Sequence, residues 1–138
     1  SSREGGGALR VLDFGCGSGV LGAGLRQRCG DGMELTLLDA DAVAVKAARK
    51  NVPGATVVLG DGLGALGEAP DAFDLIASNP PVHRGRPDDW RVLRDLIAGA
   101  ADVLRLGGEM WLVAQEHVPV GLLLTGARLR KDDRCWRV

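Results

Sequence analysis

The chain has 138 residues, 17 basic against 18 acidic, and a net charge of −1. That length makes one domain. Hydrophobic residues at 46% and charged residues at 25% are an ordinary globular balance, which excludes a disordered chain. The near-zero charge argues against a strongly basic nucleic-acid binder. Residues 1–80 hold 7 basic against 10 acidic groups and residues 81–138 hold 10 against 8, so an anionic partner is expected nearer the second half. Apolar stretches such as Val118–Leu124 fall far short of the roughly 20 residues that cross a bilayer. Cys16, Cys29 and Cys135 form neither an even set nor a CxxC pair. This argues against a disulfide framework and a metal site, and fits a reducing, cytoplasmic setting. The opening SSREGGGALR has neither the apolar core of a signal peptide nor an initiator Met, so the chain reads as part of a longer protein.

Residues 1–8 read as a flexible leader. Leu9–Phe14 is a short apolar run ending in glycines, a buried strand. Val20–Cys29 is a helix stopped by Gly30, and Glu34–Leu38 a second strand ending at Asp39. Ala42–Asn51 is an Ala-rich helix on which Val43, Ala47 and Lys50 share a face. Asp41 is its better capping candidate, which leaves Asp39 free. Ala55–Leu59 is a third strand; residues 62–70 are too Gly-rich to predict a helix; Phe73–Ser78 is a fourth strand, cut off by Asn79, Pro80 and Pro81. Between Asp88 and Leu104, Trp90, Leu93, Ile97, Ala100 and Leu104 recur at three- and four-residue steps, an amphipathic helix ended by Gly107 and Gly108. Glu109–Ala114 is a fifth strand and Val118–Leu124 a short helix. Ala127–Arg130 and Arg134–Val138 suggest a closing antiparallel hairpin. Strand–helix alternation implies a Rossmann-like, doubly wound, mostly parallel sheet. Ligands of such sheets bind beyond the carboxyl ends of the strands, which singles out residues 13–19, Asp39, Asp61 and Asn79–His83.

The loop Asp13-Phe14-Gly15-Cys16-Gly17-Ser18-Gly19 admits three readings. Gly17, Gly19 and Gly22 match GxGxxG, a dinucleotide fingerprint. Asp13 at the strand end would repel a pyrophosphate and suits a cationic ligand such as S-adenosylmethionine, by holding its amine directly, through water, or by ordering the loop. A plain glycine turn is the third, with Cys16 a small filler. Asp39 can accept both ribose hydroxyls of an adenosine ligand, and Asp61 either an adenine amino group or a turn role. Asn79-Pro80-Pro81 is the most specific signal. Two residues without N–H donors make a rigid strand exit whose amide and carbonyl oxygens can accept from the exocyclic amine of a base. The amine lone pair is then aimed at a donor methyl.

Together DFGCGSG, the acid in LLDAD, GDG and SNPPVH resemble class I S-adenosylmethionine-dependent methyltransferases that act on exocyclic amines. The frame SNPPVH…GGEMWLVAQEHVP is similar to small-subunit ribosomal RNA (guanine-N(2)) methyltransferases, over residues 9–138. The resemblance implies that Asp13, Gly15, Gly17 and Asp39, with their neighbours Cys16 and Ala40, line the cofactor pocket, and that Asp61 and Gly62 meet the adenine. It implies further that Asn79, Pro80 and Pro81 hold the target amine and that Val82, His83, Arg84 and Arg86 face the RNA. Val82 stands where the family usually carries an aromatic that stacks on the base. A ribosomal RNA or small-subunit partner, no membrane and a further N-terminal domain are implied as well. Three other readings stay open: a degenerate methyltransferase-like binding or scaffold domain, a methyltransferase acting on a different amine substrate, and a nicotinamide-dependent oxidoreductase.

Overall fold

The computed structural model describes residues 7–30, 32–79, 87–113, 130–132 and 135–137, with backbone alone at 87–90, 113 and the last two segments. Leu9–Phe14 forms β1, whose Val11 and Leu12 are wholly buried. A strand covered on both faces is mostly apolar, and Leu9, Val11, Leu12 and Phe14 are so here, with Arg10 and Asp13 between them. The chain continues through α1 (Val20–Cys29), β2 (Met33–Asp39), α2 (Ala42–Asn51) and β3 (Thr56–Leu59). A 3-10 turn (Leu63–Leu66) then precedes β4 (Phe73–Ser78), α3 (Pro87–Val103) and β5 (Leu104–Val113). These five strands pair in parallel in the order β3-β2-β1-β4-β5. Among the described residues no helix is long and apolar enough to cross a membrane.

The order places the topological switch between β1 and β4. The chain works outward through β2 to β3, then returns beside β1, so the carboxyl ends of β1 and β4 flank the switch point, where open sheets of this kind take their ligands. Two apolar layers hold the sheet. Leu12, Phe14, Leu38, Ile76, Met110 and Leu112 pack against Leu93, Leu96, Ala100 and Val103 of α3. On the other face Val11, Leu35 and Leu37 meet Ala48 and Val52, with Ala23 and Leu25 of α1 at the margin. Each large side chain buried this way contributes roughly 1.5–3 kcal/mol.

Most predicted elements fall within a residue or so of their observed bounds, with two differences inside them. The inward face of α2 carries Val45 and Ala48, whereas Val43 is 76% exposed. The fifth strand begins at Leu104, not Glu109, and Leu104 pairs with Phe73 instead of closing the helix. The register then slips before Glu109 meets Leu75. The cause is tertiary. Asp74, with a fully buried carboxylate, accepts from the Arg10 N–H at 2.8 Å and from Arg105 Nε at 2.5 Å, which draws residue 105 onto the sheet. Gly107, at φ 80°, turns the chain back into line.

Arg130–Asp132 and Cys135–Arg137 are two short segments (β6 and β7) that lie antiparallel to each other, with β7 antiparallel to β5. Residues 133–134, the predicted helix Val118–Leu124 and the leader up to residue 6 lie outside the described residues.

Candidate functional site

The carboxyl edge collects those of the marked residues that the structure describes: residues 13–19, Asp39, Asp61 and Asn79. After β1 the loop bends back over β2, where Gly15 N–H and Cys16 N–H both donate to the Leu38 carbonyl, at 2.8 and 3.0 Å. Gly17 N–H donates to Asp39 Oδ2 at 2.8 Å, and Gly19 N–H to the Cys16 carbonyl at 2.9 Å. Gly19, at φ 90°, is required twice over: a Cβ there would stand 2.7 Å from a Val52 methyl. From the far end of α2, Asn51 Nδ2 reaches the Ser18 carbonyl at 3.1 Å.

These donors decide what the loop can hold. A pyrophosphate cradle needs backbone N–H groups aimed outward. Here those of Gly15, Cys16, Gly17 and Gly19 are turned inward onto protein oxygens. Two carboxylates stand beneath them, so the loop suits a cationic or neutral nucleoside and not a phosphate.

Asp13 is 1% exposed and lies under α1, where its Oδ2 accepts from Gly22 N–H at 3.1 Å. Burial, opposed by the Gly22 N–H and reinforced by the charge of Asp39, pushes its carboxyl up to about 6. Of its three possible roles, this position favours ordering of the loop and helix. Gly22 permits the approach, since a Cβ there would meet Leu37 at 2.7 Å, Leu35 at 3.1 Å and Asp13 Oδ2 at 3.2 Å. The third glycine of GxGxxG thus serves helix-on-strand packing. Cys16 is buried among Val11, Leu35 and Leu37, with its thiol directed at the Gly17 carbonyl at 3.4 Å. Burial, then the charges of Asp13 and Asp39, push that thiol up to about 12, so it stays neutral.

Asp39 is not free, as its sequence position suggested. Its Oδ2 takes the Gly17 N–H, its Oδ1 the Asp41 N–H at 2.8 Å, and its carbonyl the Gly60 N–H at 2.9 Å. Asp41 caps α2 as expected, accepting from Val43 N–H at 2.9 Å. A carboxylate has about four lone-pair sites. Asp39 therefore keeps acceptor capacity on its carboxylate while its geometry is fixed from three sides.

Ala40 and Asp61 lie exposed at the ends of β2 and β3, and Gly62 opens the 3-10 turn beside them. Asn79 is exposed at the end of β4, one residue past Ser78, which pairs with Phe14 of β1. Pro80, Pro81, Val82, His83, Arg84 and Arg86 lie outside the described residues. Among the described residues no group of His, Cys, Asp and Glu could hold a metal ion.

Periodicity passed over an apolar rim. Val20 at 76%, Val43 at 76% and Leu59 at 53% are large hydrophobics left exposed, and they occupy the start of α1, the start of α2 and the end of β3. All three positions are on the carboxyl edge, where a flat apolar ring system needs walls. The readable signal for Val20 is an apolar residue at the first position of a helix; by sequence Val43 reads as part of its helix's apolar face and Leu59 as an ordinary strand residue.

The family model described as "Methyltransferase small domain" matches residues 5–129. The chain is 43% identical over 121 residues to ribosomal RNA small subunit methyltransferase C of Pseudomonas entomophila, covering 85% of this chain and 35% of that protein. To the protein of the same name from Actinobacillus pleuropneumoniae it is 41% identical over 122 residues, covering 86% and 36%. Among solved structures, the 16S rRNA N2 G1207 methyltransferase of T. thermophilus, in complex with AdoMet and guanosine, superposes with a TM-score of 0.74 at 29% identity, covering 96% of this chain and 37% of that one. The chain thus spans about a third of the length of the curated relatives that it matches. With the family model covering nearly its whole length, the chain belongs to the methyltransferase small-domain family.

Proposed function

We propose that residues 9–138 form a catalytic domain that transfers a methyl group from S-adenosylmethionine to the exocyclic amine of guanine in small-subunit ribosomal RNA, in the cytoplasm. The observation that carries this reading is the adjacency of the glycine loop and Asn79 at neighbouring strand ends, Phe14 pairing with Ser78. Relatives named for ribosomal RNA methylation and a neighbour holding AdoMet and guanosine support the substrate class. In this reading the strands β6 and β7 close the sheet as a hairpin, and longer relatives grip the RNA with chain beyond this domain.

The site fits the donor. Asp39 would take the ribose hydroxyls, Asp61 the adenine amine, Ala40, Gly62, Val43 and Leu59 the faces of the base, and Gly15–Gly17 the amino-acid end. When bound, S-adenosylmethionine supplies an electrophilic methyl that an amine lone pair takes by in-line displacement. Asn79, with Pro80 and Pro81 stiffening the exit from β4, accepts hydrogen bonds from the target amine and aims its lone pair. Val82 and His83 then bound the base, and Arg84 and Arg86 meet phosphates. Cys16 remains a neutral thiol and Asp13 is buried under α1, so neither serves as a base. The amine proton leaves to solvent after transfer.

The test is calorimetry of donor binding together with transfer of a labelled methyl to an unmodified 16S rRNA transcript. Asp39→Ala is expected to weaken donor binding by about 10-fold or more, as loss of hydrogen bonds to a charged group does. Asn79→Ala slows transfer about 100-fold and changes donor affinity less than threefold. An Asn79→Ala protein that methylates at the wild-type rate refutes the clamp. Binding of the donor without transfer favours a scaffold, and binding of a nicotinamide dinucleotide instead refutes the donor assignment.

A further inference from the structure

One polar side chain at the switch point, Ser78, touches neither the donor site nor the target amine. Ser78 is wholly buried, the last residue of a strand whose other buried positions are Phe73, Asp74, Ile76 and Ala77. A buried hydroxyl costs roughly 1–3 kcal/mol unless it is hydrogen-bonded. Its Oγ donates to the Phe14 carbonyl at 2.7 Å, across 64 residues of sequence and directly across the β1–β4 seam.

The two residues joined by this bond are neighbours of the two halves of the site. Phe14 precedes Gly15, where the glycine loop begins; Ser78 precedes Asn79. The loop's other flank is already fixed, since Gly15 N–H and Cys16 N–H hang from Leu38 of β2. On the β4 side, Phe14 and Ser78 are the last pair of the ladder, and among the described residues Ser78 Oγ adds a side-chain tie there, between the start of the loop and Asn79. Neither partner of the bond has to touch a ligand for it to matter. A displacement reaction depends on the separation of donor and acceptor, and a misplacement of about 1 Å costs around 100-fold in rate.

We propose that Ser78 is a positioning residue for methyl transfer: its hydroxyl fixes the spacing between the glycine loop that holds the donor and the Asn79 clamp that holds the amine. The proposal rests on the methyltransferase reading above. It separates affinity from rate, because each half of the site stays intact while their mutual placement loosens.

The experiment compares the full chain with Ser78→Ala and Ser78→Thr, using calorimetry with S-adenosylmethionine, single-turnover transfer to an unmodified 16S rRNA transcript, and urea denaturation. For Ser78→Ala, transfer at saturating RNA falls 10- to 100-fold, while the donor Kd and the RNA concentration at half-saturation stay within about threefold of wild type. Ser78→Thr keeps the hydroxyl and recovers most of that rate, even though its added methyl lowers the denaturation midpoint. A Ser78→Ala protein as fast as wild type overturns the proposal, and so does one whose donor binding and rate fall together with its stability. A Ser78→Thr protein that binds donor normally yet stays slow overturns it as well. A wild-type chain that binds donor and transfers nothing overturns the methyltransferase reading, and the role of Ser78 with it.

Discussion

Asp13 ties the chemistry of the loop to the stability of the whole sheet, and Asp13→Asn measures that tie. Burial raises the carboxyl from 3.8 to about 6, against the pull of the Gly22 N–H and with help from the Asp39 charge. Between those two values the folded protein holds a proton that the unfolded chain has released. Stability from this group is therefore fully present below about pH 4 and is lost as pH rises through about 6. At 1.36 kcal/mol for each pKa unit, the loss is about 3 kcal/mol. Asparagine keeps an oxygen for Gly22 N–H and never ionises. Urea denaturation of both proteins at intervals from pH 4 to 8 is expected to show the variant gaining about 3 kcal/mol on wild type across that range, whatever their offset at pH 4. A cationic donor favours the ionised carboxylate, so wild-type donor affinity rises between pH 5 and 7 and that of the variant does not. A stability difference that stays constant with pH, within about 0.5 kcal/mol, would refute the reasoning.

Asp74 carries the opposite sign. Desolvation works to raise its carboxyl, but the Arg10 N–H, the Arg105 hydrogen bond and the two guanidinium charges outweigh it and hold it below the ordinary value. Its contribution is present above about pH 4 and lost as pH falls through the lowered value, which acid titration of the urea midpoint will register. Asp74→Ala removes the carboxylate that Arg10 and Arg105 share at the sheet and is expected to cost about 3–5 kcal/mol at neutral pH. Gly60→Ala would place a Cβ 2.1 Å from that of Ala65. Shifting the 3-10 turn costs about 1–3 kcal/mol and weakens donor binding, whereas Gly64→Ala, which meets nothing within 4 Å, leaves both unchanged.

Elements whose causes are local were legible in the sequence. The α1 bounds follow from the glycines on either side, the α2 start from Asp41, and the end of β4 from Asn79 and the prolines. Features set by distant partners were not legible. Leu104 satisfies a helical period as well as Ala100 does, and only the pairing with Phe73, anchored by Asp74, makes it a strand residue. Val43 fits an apolar stripe on α2, yet the sheet meets the neighbouring stripe of Val45 and Ala48. At the site, the acids and glycines could be read from their places after strands. That Asp39 would be engaged by three backbone donors, and Asp13 buried beneath α1, depends on how the loop folds back over β2.

The three backbone donors on Asp39 belong to three segments: Gly17 to the loop, Asp41 to the start of α2 and Gly60 to the exit of β3. None of these amides can exchange with deuterated solvent unless it parts from the same residue. Opening at the carboxyl edge is therefore a shared event rather than three independent frayings. A ligand held by the Asp39 carboxylate would restrain all three segments through one residue, two of them by its side chain and the third by its backbone carbonyl, and its binding energy would be distributed as slower exchange at positions that it never touches.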